Sequence, residues 1–119
     1  MKIWMDDVRK APEDYYLWVS DVESAIYEIM RCEREVDCIY RDYILGYISG
    51  DIAQERFNHY VITEISCDND LGEGIAEGYK LLDWLEATGR NYPIHIHTAN
   101  PVARQKMKSI IKRNGWKEV

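Results

Sequence analysis

Three apolar runs in this chain each end in a burst of chemically capable residues. Lys2-Ile3-Trp4-Met5 leads into Asp6-Asp7. The run from Tyr60 to Cys67 leads into Asp68-Asn69-Asp70-Leu71-Gly72, and Ile94-His95-Ile96 leads into His97-Thr98-Ala99-Asn100-Pro101. A parallel sheet gathers the carboxyl ends of its strands along one edge, and ligands bind in the crevice there. If the three runs are neighbouring parallel strands, four carboxylates, a His, a Thr and an Asn meet in one small volume. That convergence predicts a site.

The segments between the runs supply the rest of an α/β pattern. Val8 to Asp14, with Pro12, reads as a loop too short for the crossover helix of an ordinary βαβ unit. Tyr15 to Val19 is a second strand. Ser20 and Glu23 form a capping box, and Val22, Ala25, Ile26, Ile29 and Met30 follow at helical spacing, which predicts a helix over about 21–34. Ile39, Tyr40, Tyr43, Ile44, Tyr47 and Ile48 predict a second helix, interrupted at Gly50, with 51–59 continuing as helix or loop. A strand over 60–67 and a glycine-rich connection precede a helix at 76–88, which Gly89 stops. Pro93 opens a strand at 94–97, and Pro101 sits near the start of a last helix with Met107, Ile110 and Ile111 inward. Gly115 to Val119 is at most a short closing strand. The expected fold is one domain over 1–119, an α/β sandwich with a mostly parallel sheet.

Bulk properties narrow the function. With 119 residues, 46% apolar and 30% charged, the chain builds a core without staples. No stretch approaches the roughly 18 apolar residues of a membrane span, and the start leaves no room for a signal peptide. The expectation is an intracellular, cytoplasmic protein. Cys32, Cys38 and Cys67 have no CxxC spacing and read as reduced thiols. From Pro101 onward there are six Lys or Arg against one Glu, +5, so residues 1–100 carry the remaining -11 of a net -6. An acidic body argues against broad duplex DNA binding, while the basic tail leaves room for a local phosphate contact.

Adjacent Asp6 and Asp7 after a buried strand need a cation, an Arg or water. With Asp68 and Asp70 they offer oxygen ligands suited to Mg²⁺, Mn²⁺ or Ca²⁺. Solvated strand ends and helix caps are the plain alternative. His97, at a strand end beside Thr98 and Asn100, is placed to give or take a proton near neutral pH. His95 shares its face if the run is extended, so one of the two is a packed, hydrogen-bonded residue. His59 reads as surface. Arg104, Lys108 and Lys112 form a basic stripe at i, i+4, i+8, either a solvated face or an attractor of phosphate. The tyrosines at 40, 43 and 47 read as core or, if exposed, as a partner surface.

The acidic pair, the Asp closing the 60–67 run and Thr98-Ala99 resemble the receiver domain of bacterial response regulators, in which such an Asp, here Asp68, accepts a phosphoryl group beside Mg²⁺. The chain is more similar to a divergent branch, the cyclic-phosphate-processing receiver-like family met in phage and bacterial genomes. Members carry Trp-Leu-Asp-Asp-x-Arg, Leu-Asp-His-Asp-Leu-Gly and His-Ser-x-Asn-Pro. This chain has Trp4-Met5-Asp6-Asp7-Val8-Arg9, Cys67-Asp68-Asn69-Asp70-Leu71-Gly72 and His97-Thr98-Ala99-Asn100-Pro101. Pro12, Gly78-Tyr79, Arg104 and Met107 also fit.

The resemblance implies a receiver-like, flavodoxin-like three-layer sandwich with the first helix reduced and an insertion at about 36–58. It implies a divalent cation, Mg²⁺ or Mn²⁺, held by Asp6, Asp7 and Asp68 and aided by Asp70. His97 would transfer protons, with Arg9, Thr98, Asn100 and Arg104 orienting phosphate, and the ligand would be a cyclic-phosphate end of a nucleotide or RNA. Asn69 stands where the family has His, and an amide does no acid–base work. No Lys follows a final strand in the signalling receiver's pattern except the distant Lys117. Two further readings are therefore carried: a non-catalytic, phage-type accessory module using 36–58 for a protein partner or homodimer, and a phosphoacceptor switch at Asp68.

Overall fold

The computed structural model describes every residue from Met1 to Val119 except Glu13 and Tyr15. The elements in order are β1 (Lys2–Met5), β2 (Leu17–Val19), α1 (Val22–Ile44), α2 (Gly50–Tyr60), β3 (Glu64–Cys67), α3 (Tyr79–Ala87), β4 (Ile94–Ile96) and α4 (Pro101–Asn114). The four strands form one sheet in the order β2-β1-β3-β4, every pair parallel. The fold is α/β and receiver-like. Tyr15, the expected start of the second strand, lies outside the described residues, as does Glu13 of the expected loop.

Alternation along the strands divides the sheet into two unlike faces. Ile3, Met5, Val19, Ile65, Cys67, Ile94 and Ile96 point to one face. There they form a single core with Val22, Ala25 and Ile29 of α1, Leu81, Leu82 and Leu85 of α3, and Met107, Ile110 and Ile111 of α4. The intervening residues face the other way. Trp18, Trp4, Ser66 and His95 stand side by side in one row across the four strands. The connector between β1 and β2 lies over part of that second face, and Trp18 at its edge stays exposed. Lys2 Nζ donates to Asp14 Oδ2 at 3.1 Å, and Trp4 Nε1 donates to the Arg9 carbonyl at 2.9 Å. The first helix is thus reduced to a loop, and the outer layer on this side is that loop.

The helices start where side chains satisfy free backbone N–H groups. Asp21, rather than Ser20, caps α1, accepting from the Ser24 N–H at 2.7 Å. The carboxylate reaches the third residue of the first turn, which moves the start one residue on from the expected box. α1 then runs to Ile44, well past the expected end near 34, because the 39–44 periodicity continues the same helix. The turn comes at Gly46, φ +79°, a left-handed conformation that favours glycine. Gly50, expected to interrupt a helix, instead opens α2 behind the Ser49 cap. α2 extends through Tyr60, so β3 begins only at Glu64. Asn100 caps α4 through Oδ1, with Pro101 in the first turn and Gly115 at its end. The closing strand is a single parallel bridge from Glu118 to Ile94.

α1 has 23 residues and so spans about 34 Å. Its first half packs on the core, and its second half carries α2 away from the sheet in a molecule of 50 × 30 × 24 Å. Ile39 is buried outside the main core, and α2 has no buried residue. All three cysteines are free. Cys67, fully enclosed, has its thiol pushed up to about 12 by burial. No helix among the described residues is long and apolar enough to cross a membrane.

One polar tie holds α1 to the far end of α3. Glu33 receives Arg90 Nε and Nη2 in a fork at 2.8–3.1 Å and also accepts from the Tyr92 hydroxyl. The Arg90 guanidinium lies 4.4 Å over the Trp84 ring. Burial works against the Glu33 charge, but Arg90 and Tyr92 outweigh it and hold the carboxyl below its ordinary value. Glu33→Gln is expected to cost about 1–3 kcal/mol by urea denaturation near pH 7. Because the folded-state value lies below the unfolded one of about 4.3, the contribution is complete above that pH and fades as pH falls through the folded value. The difference between wild type and variant should therefore shrink in acid; a pH-independent difference would contradict this account.

Candidate functional site

Asp6 leaves β1 with its side chain pulled inward, 1% exposed. Oδ1 accepts from the backbone N–H groups of Val8 and Arg9, both at 2.9 Å, so the carboxylate folds the connector back over the sheet. Oδ2 meets His97 Nε2 at 3.1 Å, and Arg9 Nε stands 4.0 Å away. Burial alone would raise the Asp6 carboxyl, but the two N–H groups and His97 outweigh it and set it below the usual range. Asp7 points the other way, exposed, beside Gly72. Arg9 is mostly solvent-exposed, with Nη1 3.5 Å from the His97 carbonyl.

Asp68 ends β3 almost buried, and its Oδ1 accepts from the Asn69 N–H at 2.8 Å. Asn69 is wholly enclosed and closes the following loop on itself. Its carbonyl accepts from Gly78 N–H, its Oδ1 from Tyr79 N–H, and its Nδ2 donates to Glu77 Oε2 at 3.1 Å. The amide thus serves as a loop clamp, using a donor and an acceptor at once. Gly78 is required for a different reason: a Cβ there would lie 1.8 Å from the Asp68 carbonyl oxygen.

At the end of β4 two histidines share the helix-free face. Ser66 Oγ, fully buried, lies 2.8 Å from His95 Nδ1 and 2.7 Å from His97 Nδ1. The His97 ring stacks on Trp4 at 3.8 Å with an interplanar angle of 3°. Ser66 lies between these two rings in the sheet, and its small side chain lets them meet above it. Burial lowers the His97 pKa, and Asp6 only partly opposes it.

Of these groups Asp6 and Asp68 line a cleft of about 840 Å³ at the carboxyl edge of the sheet, and His97 lies behind Asp6, outside its lining. Its lining includes Asp6, Asp7, Asp68, Asp70, Glu73 and Glu77, six carboxylates, against the single guanidinium of Arg9. One ligand atom each from Asp6, Asp68 and His97 lie within 4.8 Å of one another. Two carboxylates and an imidazole so close form a donor set that fits a divalent cation. Asp7 and Asp70 line the same cleft farther out.

The remaining expected residues divide. Asn100 lines the cleft, with Oδ1 committed to the N–H groups of Val102 and Ala103. Thr98 is buried and accepts from the Asn100 N–H, and Arg104 Nη2 donates to the Thr98 carbonyl at 2.9 Å. Thr98 and Arg104 brace the loop that carries Asn100 and do not line the cleft. Lys108 pairs with Glu118, so the basic stripe is not one phosphate patch. Sequence reasoning passed over Trp4, Ser66 and Glu77. A serine inside an apolar run, opposite a histidine pair at alternate positions, was a readable signal for Ser66. Nothing in the sequence pointed to Glu77.

Gly78→Ala is expected to displace the end of β3 and cost at least about 2 kcal/mol, with backbone shifts at Asp68 and Asn69 visible by amide NMR. A variant as stable as wild type with unmoved Asp68 resonances would contradict the close approach.

No curated protein and no solved structure matches the chain. The family model described as the cyclic-phosphate processing receiver domain matches residues 47–113, which takes in Asp68, Asn69 and His97 and leaves Asp6 and Asp7 outside. That span is more than half of the 119 residues, and it covers β3, β4 and most of α4. The chain belongs to the cyclic-phosphate processing receiver domain family.

Proposed function

We propose that the cleft binds a divalent cation, Mg²⁺ or Mn²⁺, and with it the phosphate end of a nucleotide or RNA, a terminal cyclic phosphate being the group hydrolysed. The observation that carries this reading is the approach of Asp6, Asp68 and His97 within 4.8 Å, with Asp6 and Asp68 in the wall of a cleft of six carboxylates. Such a surface repels a bare phosphate, so an anionic ligand needs its charge offset. The description of the matched family, cyclic-phosphate processing, supports cyclic phosphates as the substrate class.

Asp6 and Asp68 would hold the cation, with Asp7 and Asp70 reached directly or through water. The cation, when bound, would polarise a phosphoryl oxygen and offset developing charge. Hydrolysis adds water to phosphorus and breaks one ring P–O bond, so a proton leaves the water and another reaches the departing ribose oxygen. His97 is the group assigned to that proton traffic, held in place by Asp6 and Trp4. Arg9, exposed at the mouth, would grip a phosphate oxygen. Asn100 would shape the rim, and Thr98 and Arg104 would act by bracing it. Turnover of 2′,3′-cyclic nucleotides with Mg²⁺ or Mn²⁺ is expected, abolished by Asp68→Asn and lowered about 10²–10⁴-fold by His97→Gln. Absence of activity across several cyclic phosphates and metals would sink the proposal, and acetyl phosphate labelling of Asp68 would favour the phosphoacceptor switch.

The α1–α2 hairpin supports a second reading, in which it pairs with a second copy of the chain. Tyr40, Tyr43 and Tyr47 are 51–75% exposed, and a groove between the helices is lined by Val36, Tyr40, Tyr43, Ala53 and Phe57. Val36, Tyr40 and Tyr43 on one wall, and Gly50, Ala53 and Phe57 on the other, repeat at three- and four-residue steps. That spacing suits knobs-into-holes packing against two like helices, as in a four-helix bundle. Asp37 and Arg41 stand one turn apart beside the groove, so a two-fold antiparallel pairing sets opposite charges against each other. Light scattering should give a dimer that Tyr43→Glu converts to a monomer; a wild-type monomer at high micromolar concentration would reject this reading.

A further inference from the structure

We propose that the ligand of the cleft is a free nucleoside 2′,3′-cyclic monophosphate rather than the cyclic end of an RNA strand, with its base resting on Val8 and Ile75. The seat of the phosphate rests on the cation reading above. The choice between the two ligands rests on how charge and apolar surface are arranged around that seat.

The cleft pairs an acidic floor with exposed apolar side chains. Asp6 and Asp68 are buried, whereas Val8 and Ile75 stand 79% and 48% exposed in the same wall. Backbone hydrogen bonds hold both in place. Val8 N–H donates to Asp6 Oδ1 at 2.9 Å, and Ile75 N–H donates to the Gly72 carbonyl at 3.2 Å. Gly72 takes φ +118° in that turn, and a Cβ on it would lie 3.6 Å from Ile75 Cγ1 and 3.7 Å from Asp7 Oδ2. An apolar side chain and a cleft carboxylate therefore flank one glycine. A nucleoside cyclic monophosphate is divided in the same way, with one charged end and a flat base whose faces pack on apolar side chains. A cleft of about 840 Å³ is of the size that takes small molecules.

An RNA strand brings further phosphates, and proteins that hold single strands track them with a positive groove. The surroundings here have the opposite sign. A divalent cation and Arg9 supply three positive charges against six carboxylates, so the wall stays net negative with the cation seated. Glu73 and Glu77, both exposed in that wall, would repel a second phosphate. The cations of α4 provide no track: Arg104 donates to the Thr98 carbonyl, and Lys108 and Arg113 pair with Glu118 and Glu86. None of the three lines the cleft.

Turnover and binding test this separately. With Mg²⁺ at low ionic strength, adenosine 2′,3′-cyclic monophosphate should show a kcat/KM about tenfold or more above that of a short RNA ending in the same group. Added salt should narrow the gap by screening the carboxylates, and Glu73→Lys should narrow it by raising the RNA value. Ile75→Ser should raise KM for the nucleotide about tenfold, and Ile75→Leu should restore it. In methyl NMR of the full chain with Mg²⁺, adenosine 3′-monophosphate should shift Val8 and Ile75, and ribose 5-phosphate should not. An RNA end hydrolysed as fast as the nucleotide or faster, or a bound nucleotide that leaves both methyl sets unmoved, would overturn the inference. Methyl shifts without turnover of any cyclic phosphate would remove the hydrolysis and leave the nucleotide seat standing. If neither ligand binds or reacts, the cation reading fails and this inference with it.

Discussion

The unequal treatment of the two sheet faces is the constraint on which the rest of the structure depends. Parallel strands with helices on both sides read as continuous apolar runs, because both faces are buried in hydrocarbon. Here β3 reads Glu-Ile-Ser-Cys and β4 reads Ile-His-Ile, followed at once by His97. Every second residue is polar or amphipathic. Helices therefore gather on the Ile3, Ile65 and Ile94 side, and the other side must satisfy its own polar groups. Among the described residues, no buried side-chain nitrogen or oxygen lacks a partner.

That requirement ties the connector to the site. With no helix among the described residues between β1 and β2, the connector must shield the second face while bringing the chain back to a parallel strand. Asp6 does both tasks through two oxygens: Oδ1 turns the backbone by binding Val8 and Arg9, and Oδ2 engages His97. Trp18 Nε1 donates to the Asp6 carbonyl at 2.6 Å and Trp4 Nε1 to that of Arg9, so two indoles hold the loop from below. The acidic residue that faces the cleft is also the residue that folds the loop. Its geometry is consequently fixed before any ligand arrives.

The strand ends and their convergence were legible because they depend on short-range alternation and on the geometry common to parallel sheets. Asp6, Asp68 and His97 meet as the three runs foretold. The helical hairpin was less legible. Periodicity at 39–48 was visible, but whether it began a new helix or continued α1 depended on where the chain broke, and Gly46 with its left-handed backbone made the break rather than Gly50. Of the residues expected to orient phosphate, three have polar atoms committed to local structure. Thr98, Asn100 and Arg104 are absorbed by the turn and cap that start α4, a competition between backbone and ligand for the same polar atoms that spacing cannot resolve. Ser66 was missed because a buried hydroxyl gains meaning only from the two rings across the strand.

Asn69 shows how the loop beside the cleft can be ordered by a side chain that does not titrate. A side chain at this position points into the loop from 70 to 78, where it must accept from Tyr79 N–H and donate to Glu77. An amide supplies both functions at any pH. A neutral imidazole could supply them too, but its protonation would remove the acceptor and loosen the loop that carries Asp70 and Glu73. Holding that loop with an amide decouples its order from pH. The imidazole of His97 sits just beyond β4, enclosed by Trp4, Asp6 and Ser66, where burial lowers its pKa. Loop order thus rests on Asn69 just beyond β3, and the buried imidazole stands apart from it just beyond β4.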